Sequence, residues 1–437
     1  MGRRPVAEAR RTDRPALAAF WVIVAIYLAI GSLYALRTPV YNAPDEPAHA
    51  NYVRALSRRE GLPVLVPGDW DLPLLEDLKA RRFPEGSDVA AIRYESHQPP
   101  IYYLVLAPLA QIVSEERAQV VVMRFGSLAI GLLGVVLIYH VARCLLDADA
   151  ALLAMGFAAF LPMRVAVSTS VSNDIAVELL VTAALLLALN RRRTGVGPTA
   201  AAMLGGLAAL AFLSKLSGVA CVAIAGSAIL LFPVRARKRS LAIASAVYLA
   251  GIVPWLVRGA IAYGPLDPLG LSRHDQVVVA QARTGPLDAE IIGSMASTLF
   301  RSFWGQFGWM GVLMDERLYL GLAMFSLVIA LGIGLFVSPW GSFWTAVDRR
   351  DRGAWLVAAA PLVVVAAMTA LYNLTYLQPQ GRYLFPAMAT VGLAVAAGLR
   401  EIVATRQRIP VFGVILSLMV AIDLICLFAF IEPQLRT

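Results

Sequence analysis

Charge is what this chain has least of. Asp, Glu, Lys and Arg make up 15% of its 437 residues, 59% are hydrophobic, and mean hydropathy is +0.69. A soluble domain carries about a quarter charged residues, so a soluble fold is excluded and a polytopic membrane protein is predicted. Apolar runs extend from Ala16 to Ile431, which leaves no room for a sizeable soluble domain. One integral membrane domain over 1–437 is the economical reading. Cysteine is scarce as well: Cys144, Cys221 and Cys426 all fall inside or at the ends of apolar runs. Three cysteines so placed argue against a disulfide framework and against a cysteine metal cluster. No small-residue cleavage site follows the first apolar run, Ala16 to Leu36, and that run is long enough to span. We read it as an anchor. The net charge of +9 does not imply nucleic acid, because the basic residues sit in short loops, as topology determinants and contacts to anionic lipid do.

What is present is a series of apolar runs near bilayer length: 16–36, 119–142, 150–168, 174–190, 199–213, 216–232, 240–262, 317–338, 354–376, 383–399 and 409–431. They predict an all-α polytopic membrane protein with about 11 transmembrane helices. The runs 199–213 and 216–232 touch at Ser214-Lys215 and read as a hairpin whose tip reaches one surface. Arg191–Arg193, Arg235–Arg239, Arg349–Arg352 and Arg400–Arg408 join Arg3, Arg4, Arg10, Arg11 and Arg14 on one side. The positive-inside rule makes that side cytoplasmic. Residues 99–113 are apolar but short, with prolines at 99, 100 and 108. Counted as a span they invert every later basic loop, so we read them as an interfacial or re-entrant helix in the first outer loop, 37–118. The core spans 119–262, a second outer loop 263–316 and the C-terminal spans 317–431 complete the domain.

This topology gathers the candidate chemistry on the outer side. Pro44-Asp45-Glu46-Pro47-Ala48-His49 brings three ionisable groups together just past the first span. Asp45 suits a helix N-cap before Pro47. It equally suits a general base, which needs a fixed carboxylate. Ala50, Val53 and Leu56 then recur on one face, with Arg54 and Arg58 on another, as in an interfacial helix turned toward lipid phosphates. His49 lies one helical turn from Asp45. A divalent metal is the lesser reading: Glu95 and His97 can add ligands, but no spacing demands it. In Glu95-Ser96-His97-Gln98-Pro99-Pro100 the prolines enforce an extended approach that pins His97 and Gln98 at the surface. Asn173 and Asp174 open a span, where Asp174 also serves as a cap. Lys215 either snorkels or binds a phosphate. Gln380-Gly381-Arg382-Tyr383 offers close backbone approach at Gly381 and a planar fork for phosphate oxygens at Arg382. Arg301, in an aromatic stretch with Trp304, Gln306 and Trp309, either anchors an aromatic belt or faces a lipid chain or sugar.

The order of these motifs, over about residues 16–400, resembles the GT-C superfamily of membrane glycosyltransferases. That superfamily includes protein O-mannosyltransferases and lipid A aminoarabinose transferases. The likeness is greatest to a bacterial family with a Pro-Asp-Glu-Pro-x-x-His opening. The resemblance implies a sugar donor on polyprenyl phosphate, Asp45 as general base with Glu46 as its neighbouring alternative, and an inverting transfer to an unknown glycan, lipid or protein acceptor. Lys215, Arg382 and Arg301 are then the cations for the leaving phosphate, and His49, His97, Gln98, Asn173, Asp174, Gln380 and Tyr383 line the substrate. No Asp-x-Asp motif surrounds Asp174, which weakens a metal-dependent mechanism. Such relatives often carry a large outer C-terminal domain. With Ile431 near the end of this sequence, acceptor recognition is expected from loops 50–98 and 263–316. A lipid-linked glycan flippase is the main non-enzyme rival, but transporters carry mid-membrane charges, broken helices and internal repeats, and none is evident. An O-antigen ligase or polymerase leans on Arg and His in one large outer loop, where here an acidic pair opens the chain.

Overall fold

In the computed structural model, residues 6–279, 282–283 and 285–436 are described, without the side chains of 6–13 and 349–350. Arg3 and Arg4, two of the expected cytoplasmic charges, lie outside these residues. The long helix α1 (Val6–Arg37) is followed by the folded first loop, with α2 (Glu46–Ser57), α3 (Leu72–Ala80), a 3-10 turn at Tyr94–His97 and α4 (Ile101–Leu106). Helices α5 (Glu116–Arg143), α6 (Ala148–Ala159), α7 (Pro162–Ser168), α8 (Asp174–Asn190), α9 (Pro198–Phe212), α10 (Ala220–Leu231) and α11 (Arg237–Tyr263) form the central bundle. The second loop carries α12 (Leu271–Val277), α13 (Ala289–Trp304) and a short antiparallel pair, β1 (Gln306–Phe307) with β2 (Val312–Leu313). Then come α14 (Glu316–Val337), the single turn α15 (Ser342–Thr345), α16 (Arg349–Thr375), α17 (Met388–Ile402), α18 (Arg408–Ile425) and α19 (Glu432–Leu435).

Each of the eleven apolar runs coincides with helix, and the protein is an all-α, multi-pass membrane protein. Seven helices among the described residues are long and apolar enough to cross a bilayer. The others are short because they sit inside the bundle: α8 has 17 residues and buries most of them. The run 150–168 is not one straight span. It breaks between α6 and α7 by 63°, where Pro162 has no N–H to continue the helix. Beyond the break Arg164 is fully buried and paired with Glu178 at 2.7 Å, so both a broken helix and a buried charge pair are present after all. Residues 99–113 form only α4 and a further 3-10 turn at Leu109–Gln111, a segment too short to cross.

The first loop is part of the core. Val40, Tyr52, Val53, Leu75, Tyr94, Tyr102 and Tyr103 pack with Val120 and Met123 of α5 and Ile175 of α8 into a buried cluster at one end of the bundle. Burial on this scale, at roughly 25 cal/mol per Å² of apolar surface, fixes the loop on the bundle end and holds its polar residues in place. Arg54 belongs to this packing rather than to a lipid-facing surface. It is buried and donates to Tyr41 Oη at 2.8 Å, Gln119 Oε1 at 3.0 Å and the Glu116 carbonyl at 2.7 Å.

Candidate active site

A cavity of about 790 Å³ opens where the first loop meets the bundle end. Asp45 is among the residues that line it. It precedes α2 with φ 65°, in the left-handed region, and its side chain makes no capping bond. The carboxylate is committed elsewhere: Tyr94 Oη donates to Oδ1 at 2.7 Å and Arg382 Nη2 to Oδ2 at 2.5 Å. Burial pushes the Asp45 carboxyl up, but the Arg382 guanidinium and the Tyr94 hydroxyl outweigh it and leave it at about 2. The left-handed backbone also parts Asp45 from its neighbour. Glu46 turns away from the cavity into a fork with Arg124, at 2.7 and 2.6 Å, and accepts from the Tyr41 and Val171 amides.

The rest of the cavity is assembled from distant segments. His49, one turn into α2, is held through Nδ1 by Tyr103 Oη at 2.8 Å, and burial lowers its pKa. His97 Nδ1 faces the Tyr94 carbonyl at 3.1 Å, and burial with the neighbouring His274 pushes it down to about 3. Both imidazoles are therefore neutral near pH 7. Asn173 donates to Gln98 Oε1 at 3.2 Å and to the Ser214 carbonyl at 3.0 Å, tying α8 to the loop and to the turn before Lys215. Lys215 Nζ meets Asp174 Oδ1 at 2.5 Å, and Arg382 Nη1 lies 4.0 Å from Asp174 Oδ2. Gln380 Oε1 accepts from Arg382 Nε at 2.7 Å, and the Tyr383 ring lies 5.8 Å from the guanidinium. Gly381 makes this approach possible, since a Cβ there would lie 2.3 Å from the Phe303 backbone.

The chain as a whole is similar to known proteins. Residues 97–257 match the model of the dolichyl-phosphate-mannose-protein mannosyltransferase family. None of the curated proteins matches by sequence. Among solved structures, ArnT from Cupriavidus metallidurans in the apo state aligns with a TM-score of 0.56 at 17% identity, over 90% of this chain and 61% of that one. The same protein bound to undecaprenyl phosphate gives 0.53 at 17% identity, over 96% and 74%. The Archaeoglobus fulgidus oligosaccharyltransferase in complex with Zn and sulfate gives 0.50 at 16% identity, over 94% and 53%. The fold is that of the GT-C superfamily. The chain spans 61% of the length of the apo ArnT chain it matches.

Within this GT-C fold, Asp45, His49, His97, Gln98, Asn173 and Asp174 all line the one cavity, as do Lys215, Gln380, Arg382 and Tyr383. Two expected residues do not. Glu46 is fully buried against Arg124, so the alternative base is taken up by structure. Arg301 pairs with exposed Glu316 at 3.0 Å and stacks on Tyr319 instead of meeting the cavity. The expected cap role of Asp45 is likewise replaced by its contacts to Tyr94 and Arg382. Tyr94 carries no distinguishing signal in the sequence, where it is one tyrosine between Arg93 and Glu95. Arg124 was hidden inside an apolar run. Asp45, His49 and Glu95 place possible metal-ligand atoms within 4.8 Å of one another. They offer suitable N and O donors, but an ion there would share Asp45 with the Arg382 guanidinium.

Proposed function

We propose that this GT-C chain is an inverting glycosyltransferase moving a sugar from a polyprenyl-phosphate donor to an acceptor hydroxyl. The observation that carries the reading is the set Asp45, Arg382, Asp174 and Lys215: two carboxylates and two cations brought together in a single cavity. ArnT bound to undecaprenyl phosphate supports a lipid-linked donor for the shared fold. Asp45 Oδ accepts the proton of the acceptor hydroxyl as its oxygen attacks the anomeric carbon. The bond from that carbon to the phosphate oxygen breaks, and its electron pair leaves on the lipid phosphate. Arg382 and Lys215 stabilise the charge that develops there. As Arg382 turns toward phosphate it releases its hold on Asp45, which becomes the better base when the donor is bound. Attack on the face opposite the leaving group inverts the anomeric centre.

The charge distribution supports a site on the outer face of the cytoplasmic membrane. Asp174 begins α8 and the Arg191–Arg193 cluster follows its end, about 25 Å away at 1.5 Å per residue. At that far end Arg192 pairs with Asp351 at 3.1 Å, and Arg408 with Asp147 at 3.3 Å. The positive-inside rule puts that end in the cytoplasm. A lipid-linked glycan transporter is the second reading, favoured by the break between α6 and α7 and the buried Arg164–Glu178 pair.

The two readings part on turnover. Purified protein is given a panel of synthetic polyprenyl-phosphate sugars, with Asp45→Asn in parallel. Release or transfer of sugar from one donor by the native protein alone supports the transferase. Lipid-phosphate binding with no turnover of any donor, with acceptors supplied, favours the transporter.

A further inference from the structure

The two Asp45 carboxylate oxygens have different partners, Arg382 on Oδ2 and Tyr94 on Oδ1, and the transfer chemistry above uses only the Arg382 side. On the other side Asp45 accepts from Tyr94, whose ring meets Trp70 edge-on at 4.9 Å. Behind them α3 turns Leu72, Leu75, Glu76 and Lys79 into the cavity, a spacing that marks one face of a helix. Trp309 closes this side, with the Lys79 ammonium 5.4 Å from its ring centre.

The cavity also concentrates polar atoms that the protein leaves unmatched. Trp70 Nε1, Glu95 Oε2, Asn173 Oδ1, Ser217 Oγ and Gln306 Oε1 are buried with no hydrogen-bond partner in the protein, and all five residues line this cavity. Buried polar groups are ordinarily satisfied, so such a concentration points to a ligand. Three of the five are carboxylate or amide oxygens, which only accept. The complementary ligand therefore brings hydroxyl donors. Glu95 stands apart in charge too. Asp45 has Arg382, Asp174 has Lys215 and Glu76 has Lys79, while Glu95 has no ion pair among the described residues and lies within 4.8 Å of Asp45 and His49.

We propose that the Trp70–Glu95–Gln306 side of the cavity is the acceptor subsite and takes a saccharide, so that the group glycosylated is a sugar hydroxyl. Trp70 offers an apolar ring face beside a free N–H, the combination that suits a pyranose or furanose with its C–H face on the ring. Glu95 accepts from a hydroxyl beside the attacking one and so positions the acceptor at Asp45. An extended peptide needs a row of N–H donors for its carbonyls, and this wall supplies the indole and the Lys79 ammonium, which is already paired with Glu76. A phosphorylated headgroup would meet the unpaired Glu95 carboxylate. The inference rests on the transferase reading above.

The test is saturation-transfer NMR on the full-length protein in detergent, with a mixture of neutral pentose and hexose oligosaccharides, a serine- and threonine-containing peptide mixture, and polyprenyl phosphate as separate probes. Oligosaccharide signals are expected to saturate, and Trp70→Ala and Glu95→Gln to weaken that binding roughly tenfold with polyprenyl-phosphate binding kept. Trp70→Phe and the near-isosteric Glu95→Gln guard against simple misfolding. With an active donor, Glu95→Gln is expected to raise acceptor KM more than it lowers kcat. Saturation of peptides instead, oligosaccharide binding indifferent to Trp70 and Glu95, or loss of that binding in native protein on adding EDTA overturns the proposal. If polyprenyl phosphate still binds in those cases, the transferase reading stands. If native protein binds neither oligosaccharide nor polyprenyl phosphate, both fall.

Discussion

Arg382 and Asp45 are 337 positions apart in sequence and 2.5 Å apart in the fold. The contact joins the start of the first loop to the turn before α17, so the candidate base and a candidate phosphate ligand are held by one ion pair. Removing either partner therefore has different consequences.

Asp45→Asn keeps the size and backbone preference of the residue and removes the proton acceptor. Transfer is expected to fall roughly a hundredfold to ten-thousandfold, with lipid-phosphate binding retained. Sugar transfer per folded molecule, measured beside polyprenyl-phosphate affinity, checks the separation. Equal losses in both would place Asp45 in binding alone.

Arg382→Lys keeps the charge and loses the fork that reaches Gln380 and Asp45 together. We expect kcat to drop by about a hundredfold or more. Donor affinity measured by titration should weaken too, and an unchanged kcat would remove Arg382 from the leaving-group side.

Glu46→Gln should act on stability. It leaves Arg124 buried without its counter-charge, a loss of about 3–5 kcal/mol for a broken buried pair. Replacing both, as Glu46→Gln with Arg124→Met, is expected to cost less than either single change. Thermal unfolding in detergent decides this, and strict additivity would argue against the pair.

Acid should destabilise the loop through its histidines. His49 and His97 are held neutral in the fold, His97 down to about 3, by burial. In the unfolded chain each takes a proton near about pH 6.5. Their stabilising contribution is thus full above that pH and is lost as pH falls toward the folded values. Asp45 runs the same way lower down: its contribution persists to about pH 4 and is lost as pH falls toward its folded value of about 2. The unfolding midpoint should start to drop near pH 6, and His97→Gln should flatten that slope. A native midpoint constant between pH 7 and 4 would contradict it.

Gly381→Ala is expected to displace Arg382, because the added methyl would meet the Phe303 backbone at 2.3 Å. Activity should fall while membrane insertion is kept; full activity would mean that the segment can shift without penalty.

Much of this was legible in the chain. Apolar runs gave the helices because burial and bilayer length both leave periodic, uncharged stretches. Asp45, Lys215 and Arg382 stood out because charges are rare in such a sequence. What the sequence could not separate was Asp45 from Glu46, since adjacent acids differ here only through a left-handed backbone at the first. Arg301 looked like Arg382 in composition, but its partner Glu316 begins the next helix and takes it out of the cavity. The break at Pro162 was disguised because the run is apolar on both sides apart from Arg164, whose charge is matched in the fold by Glu178.

The left-handed backbone at Asp45 also governs how this sequence can diverge. Few residue types hold that conformation without strain; Asn and Gly are among them, and each is a single-base change from Asp. A lineage can thus shed the carboxylate while Glu46 stays locked to Arg124 and the loop stays folded. On the mechanism proposed above, such a descendant would inherit the cavity without its base and would be read as an enzyme by its fold alone.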